Sequence, residues 1–203
     1  MIRIEKKAEP SDWLRYRKTP GVRYEAIPAL RDSLLQEQGY LCAYCMCRIS
    51  REKSRIEHLQ SRKNHPEKQL DYNNMVICCE GNPNGKESCD RKKGDRDITF
   101  NLFSDEDIAT LSYSSRDGTI RSTNPTYEKE LNKLLNLNNG TLKDNRHQAY
   151  RGLITELSKK KWTLKTLRKQ RDKWAARDEE EQFRPYLGIV LWQLDKWLRQ
   201  HKG

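Results

Sequence analysis

All six cysteines of this 203-residue chain fall between positions 42 and 89. Cys42 and Cys45 lie at one end of that segment, and Cys78, Cys79 and Cys89 at the other. Between them run Gly and Asn turns and only short apolar stretches. Two residues between Cys42 and Cys45 let a tight turn aim both thiolates at one tetrahedral ion. A second pair is then expected, drawn from Cys78 or Cys79 together with Cys89. Residues 75–79, Met-Val-Ile-Cys-Cys, read as a strand, in which neighbouring side chains point to opposite faces. One of the two adjacent cysteines therefore reaches the metal and the other packs. Buried free thiols would not explain why two clusters bracket a compact, turn-rich segment, so the spacing points to a four-thiolate zinc. Cys47 is spare and is expected to pack or to lie exposed.

Such a staple suits the composition. Hydrophobic residues make up 34% of the chain and charged residues another 34%. That supports a core, but a thin one for the length. The 40 Lys and Arg against 29 Asp and Glu leave a formal charge of +11. The excess favours a polyanionic partner, nucleic acid before membrane, although a solvated basic protein has the same balance. The most apolar stretch, Tyr186 to Leu194, contains Gln193 and is far too short to span a bilayer. MIRIEKKAEP at the N-terminus has no apolar signal region. The expectation is a cytoplasmic protein with no membrane contact, in a reducing compartment where disulfides do not form.

The pattern divides the chain into three stretches and predicts an α+β fold. Residues 1–39 form an arm anchored by Trp13 and Tyr16, then a helix over 26–38 with Ile27, Leu30, Leu34 and Leu35 on one face. Gly39 stands where a left-handed cap belongs. Residues 40–97 hold the cysteines. Residues 98–203 begin with strand-like pieces around a hairpin turn at Arg116-Asp117-Gly118 and then turn helical. Helices are predicted over 127–137, 142–157, from a Thr163 cap through Trp174, and over 186–198.

The residues between the cysteines carry chemistry. Arg55-Ile56-Glu57-His58-Leu59 comes first. Asp71-Tyr72-Asn73-Asn74-Met75 follows a basic loop. Cys89-Asp90-Arg91-Lys92-Lys93-Gly94 closes the unit. An acid–His pair, an Asn before a strand and an acid after the last Cys together form a set of metal and proton-transfer ligands on a zinc-held frame. In this order the segment resembles the HNH, or ββα-metal, nuclease family, across roughly residues 40–97.

The resemblance implies a zinc-stapled ββα-metal core followed by a mainly α-helical C-terminal region. It selects Cys79 over Cys78, giving Cys42, Cys45, Cys79 and Cys89 as zinc ligands. It implies an endonuclease hydrolysing phosphodiester bonds, DNA favoured and RNA (tRNA) the alternative. His58 would be the general base, Glu57 and Asp90 would hold Mg²⁺ or Mn²⁺, and Asn74 would orient His58. Arg91, Lys92 and Lys93 would meet backbone phosphates. The chain departs from the family in two places. A loop, residues 80–88, splits the last cysteine pair, and Asp90 replaces an Asn. A loop does not break a zinc site whose ends meet, and a charged oxygen binds Mg²⁺ at least as readily. Asp90 also has a plainer reading as a helix cap.

Taken together, Cys-Ala-Tyr-Cys after a helix, Ile-Glu-His, the Cys-Cys-Glu-Gly run, Lys-Lys-Gly-Asp and Leu134-Leu135-Asn136-Leu137-Asn138 leading to Arg146 resemble the HNH subunit of Septu-type anti-phage systems, also found beside some retrons. That resemblance implies an effector nuclease with an ABC/SMC-like ATPase partner, and in the retron setting a reverse transcriptase with its RNA–DNA.

Two other function classes compete: a zinc-knuckle nucleic-acid-binding module without catalysis, and an interaction scaffold. Neither needs a proton acceptor beside paired acids. In the tail, Lys159, Lys160, Lys161, Lys165, Arg168, Lys169, Arg171, Lys173 and Arg177 face only Asp172. They suit a nucleic-acid face or a solvated helix equally. The aromatic last helix, with Tyr186, Trp192 and Trp197, suits partner docking or core packing. His65 is expected to face solvent, and His147 and His201 receive no chemistry.

Overall fold

The N-terminal segment is more than an arm. In the computed structural model, which describes residues 1–159 and 161–200, helix α1 (Ser11–Arg17) forms within it. Lys160 and His201, both considered above, lie outside the described residues. Trp13 is fully buried and stacks on Tyr16 with ring centroids 5.5 Å apart, so the expected anchors hold. The helix itself was not legible, because seven residues with one buried side chain carry no apolar period.

Helix α2 (Pro28–Glu37) turns Leu30, Leu34 and Leu35 inward, as the spacing predicts. Pro28 opens it at a position whose N–H has no intrahelical partner to lose. Gly39, at φ +55°, follows the end; a Cβ there would lie 2.4 Å from the Phe183 ring. Both the backbone angle and the close approach require glycine. The chain then enters the Cys42–Cys45 turn.

Strands β1 (Arg55–His58) and β2 (Met75–Cys78) pair antiparallel, with Glu57 opposite Val76 and His58 opposite Met75. Every β2 side chain is buried. Helix α3 (Cys89–Lys93) follows the 79–88 loop. Helix α4 (Asp105–Ala109) precedes a second two-stranded sheet, β3 (Leu111–Tyr113) with β4 (Ile120–Ser122), turned through Gly118 at φ +72°. The hairpin lies where Arg116-Asp117-Gly118 predicts it.

The remainder is helical: α5 (Pro125–Lys129) running into a π turn over Glu130–Leu134, then α6 (Gly140–Ser158), α7 (Leu164–Ala175) and α8 (Leu187–Gln200). Asn124, Asn139 and Thr163 cap α5, α6 and α7 with side-chain oxygens. The architecture is α+β, as expected. Buried side chains from all three stretches of the chain join one hydrophobic cluster.

For the last helix, the sequence left core packing and partner docking open. Leu187, Ile189, Val190 and Leu194 of α8 are at most 1% exposed, so the core takes up its apolar face. Trp192 and Trp197 are only half-buried. Removing residues 185–203 would therefore open the core. Among the described residues no helix is long and apolar enough to cross a membrane.

Candidate functional site

The Sγ atoms of Cys42, Cys45, Cys79 and Cys89 all lie within 4.8 Å of one another. Cys42 and Cys89 are 3.9 Å apart, and Cys45 and Cys79 are 3.8 Å apart. A tetrahedron of zinc–sulfur bonds near 2.3 Å puts its sulfurs about 3.8 Å apart. The donor set and spacing therefore fit a structural zinc. Cys78, the last residue of β2, is fully buried but is not one of the four, and Cys79, just past the strand, joins the cluster. The alternation argument could not say which of the two faces inward to metal; the cluster geometry does. Cys47 stays half-buried beside it.

The 79–88 loop closes on itself. The Ser88 N–H donates to the Gly81 carbonyl at 2.7 Å, and a Cβ on Gly81 would lie 2.2 Å from the Ser88 carbonyl oxygen. Cys89, at φ +55°, donates its N–H to the Leu135 carbonyl at 2.9 Å, and Asn136 Nδ2 donates to the Glu87 carbonyl at 2.8 Å. Buried Arg146 donates to the Gly118 and Leu137 carbonyls. The Leu134–Asn138 stretch thus buttresses the loop that delivers Cys89.

Beside the cysteine cluster opens a cleft of about 640 Å³. Glu57 and His58 reach it from β1, and Asp90 from the first turn of α3. Ser88, not Asp90, occupies the N-cap position of α3, which sets aside the plainer capping role. Tyr44, inside the Cys42–Cys45 turn, donates its hydroxyl to Glu57 Oε1 at 3.1 Å, linking the cysteine cluster to the cleft. Burial, and then the neighbouring Asp90 carboxylate, push the Glu57 carboxyl up to about 8, against the pull of Lys93. Two carboxylates crowded in a partly dry cleft form a site that a divalent cation would relieve, since its charge favours both ionised forms.

His58 is 5% exposed. Its Nε2 lies 3.0 Å from the Gln69 carbonyl. A carbonyl only accepts, so Nε2 carries the proton and Nδ1 keeps a free lone pair. Burial pulls its pKa down to about 4; the Gln69 bond opposes that, and Arg62 and Lys93 add to it. The ring is neutral at pH 7. Tyr24 meets it edge-on at 4.6 Å.

Asn74 makes no approach to the cleft. Its Oδ1 accepts from Gln60 N at 2.9 Å, and its Nδ2 donates to the carbonyls of Gln60 and Lys68, at 2.9 and 3.3 Å. It clasps the loop whose Gln69 carbonyl holds His58.

The three basic residues after Asp90 separate. Arg91 and Lys92 are exposed, outside the cleft lining, and Arg91 pairs with Glu87 at 3.1 Å. Lys93 is placed otherwise than a phosphate contact. Its side chain is 1% exposed, with Nζ 2.7 Å from Glu57 Oε1 and 2.9 Å from the His58 carbonyl. It sits on the inner face of the short helix, which turns it into the core. The cleft's outer cations are Arg31, Arg55, Arg62 and Lys63, none of them singled out by sequence. Arg62 lies over the Tyr24 ring at 4.5 Å. His65 does not face solvent freely; it is half-buried with Nε2 3.1 Å from Asp97. His147 stacks on Tyr150, 6.3 Å between centroids.

Lys93→Met is expected to cost on the order of 1–3 kcal/mol in denaturant unfolding, because it leaves the buried Glu57 carboxyl and the His58 carbonyl without their donor. Adding Glu57→Gln should recover much of that loss. A Lys93→Met protein as stable as the parent would show that the pair holds nothing.

Neither a family model nor a curated protein matches the chain.

Proposed function

We propose that this protein is a divalent-cation-dependent HNH-type endonuclease whose β1, β2 and α3 form the ββα-metal core. The observation that carries the reading is one cleft lined by Glu57, neutral His58 and Asp90, rimmed by arginines and braced by a four-cysteine cluster. In this reading Cys42, Cys45, Cys79 and Cys89 hold a structural zinc.

Glu57 and Asp90 would hold Mg²⁺ or Mn²⁺, hard cations that take oxygen ligands. When bound, such an ion supplies positive charge that offsets the charge growing on the phosphate and the leaving 3′ oxygen. The chain supplies the rest. His58 Nδ1 accepts a proton from a water as that water bonds to phosphorus and the bond to the 3′ oxygen breaks. Gln69, fixed by Asn74, holds the Nε2 proton and thus the tautomer. Lys93 keeps Glu57 anchored within the site. Arg62, Arg31 and Lys63 meet the backbone phosphates flanking the scissile one.

Such contacts read phosphate and shape, so the nuclease would need a gate. We propose an ATPase partner of the ABC/SMC-like kind in an anti-phage complex, on the strength of the sequence resemblance. The test is purified protein with Mg²⁺ or Mn²⁺ on labelled DNA and labelled tRNA, with and without co-purified partner. Cation-dependent cleavage of DNA is the expected result. Cleavage of tRNA alone would move the substrate to RNA. Binding without cleavage under every condition would leave a zinc-knuckle binding module.

A further inference from the structure

We infer that a groove across α7 and α8, separate from the cleft, binds the phosphate backbone of a nucleic acid. Its first part, about 350 Å³, is lined by Leu164, Arg168, Arg171, Asp195, Leu198 and Arg199. Arg171, Asp195 and Arg199 also line a second part of about 360 Å³, which runs on to Arg3 and Trp192. The two parts share these three side chains as a common wall.

Its charge is one-sided. Arg171 pairs with Asp195 at 2.5 Å and Arg3 with Asp105 at 3.1 Å. Among the described residues Arg168 and Arg199 have no carboxylate partner, and both are exposed. Helix α7 carries five cations and one carboxylate, and Lys165 and Lys169 stand exposed beside Arg168. Two guanidiniums left free on facing helices match the needs of a phosphodiester chain, which offers repeated charge. From Leu164 to Arg171 the helix rises about 10 Å, enough to span roughly three phosphates of one strand. Helix packing alone does not require this arrangement, because Leu167 and Trp174 of α7 already face the core. An acidic polypeptide is the other polyanion such a groove could take. The nucleic acid is favoured by the guanidinium forks, which match phosphate oxygens, and by the +11 balance of the whole chain.

The groove stands or falls apart from the nuclease reading, so the experiment measures binding without added Mg²⁺ or Mn²⁺. The probes are a labelled DNA duplex, a labelled single strand and polyglutamate. The Arg168→Ala/Arg199→Ala protein should bind DNA on the order of tenfold more weakly at low salt, with the slope of log K against log salt reduced by about two. Lys129→Ala/Lys133→Ala removes the same charge from exposed residues that line neither part of the groove, and should change affinity much less. Both pairs change exposed side chains, and unchanged circular dichroism would verify folding. Equal losses from both pairs, or no loss from the arginine pair, would overturn the inference. So would polyglutamate binding that depends on Arg168 and Arg199 while DNA binding does not.

Discussion

Cys42→Ser or Cys89→Ser protein will fail to fold, whereas Cys47→Ser protein will fold and keep its metal. Metal analysis of the parent after a chelator wash should find about one zinc per chain. The size of the effect follows from two magnitudes. A four-thiolate zinc contributes roughly 10–16 kcal/mol to a small domain that forms only around it. Whole domains are stable by only about 5–15 kcal/mol. Losing one sulfur therefore removes most of the margin. The geometry says what would come apart: the Cys42–Cys45 turn, the exit of β2 and the start of α3 meet at the cysteine cluster. Cys78→Ala is the internal control. It vacates a fully buried position outside the four-cysteine group and should lower stability without lowering zinc content. A well-folded, zinc-free Cys42→Ser protein would remove the staple from this account.

His58→Ala should lower cleavage by about a hundredfold or more while leaving zinc content and nucleic-acid binding in place. The side chain donates one structural hydrogen bond, to Gln69, so the fold does not hang on it. His58→Gln keeps more of the volume and should be as inactive. The same variant exposes the buried state of the ring through pH. His58 is held at about 4 in the folded chain, chiefly by burial, against about 6.5 unfolded. Between those values the unfolded chain takes up the proton and the folded chain does not, so falling pH favours unfolding. Relative to His58→Gln, the parent should lose about 3 kcal/mol of stability as the pH falls from 6.5 to 4. Above pH 6.5 the two curves should run parallel. Unchanged cleavage in His58→Ala would end its assignment as base; parallel stability curves throughout would show that the ring is not held neutral.

Sequence alone determined what is local. Cys42-x-x-Cys45, Gly39 after an apolar helical face, the Thr163 cap and the Asp117-Gly118 turn each depend on neighbours a few residues away. Their spacing is therefore their geometry, and each has its expected place in the structure. The adjacency of Glu57 and His58, and the placing of Asp90 just past a cysteine, are also local, which is why the candidate site was visible before any fold. Cys79 rather than Cys78 was a different matter: strand alternation forces a choice but leaves it open, the family resemblance favours Cys79, and the folded chain brings Cys79 to the other three sulfurs.

The tertiary structure decided everything that depends on distant pieces of chain. Lys93 read as a surface cation because Arg91, Lys92 and Lys93 look alike in sequence. A five-residue helix turns the third of them inward onto Glu57, across 36 positions of chain. Tyr24 and Arg31 enter the cleft from the N-terminal segment, and Tyr44 reaches Glu57 from the cysteine turn; no short pattern announces any of them. The apolar face of α8 could have served a partner or the core, and the core claimed it. The physical reason is common to these cases. A motif records which groups can do chemistry, but burial sets their charge state and partners, and burial is a property of the whole packed chain.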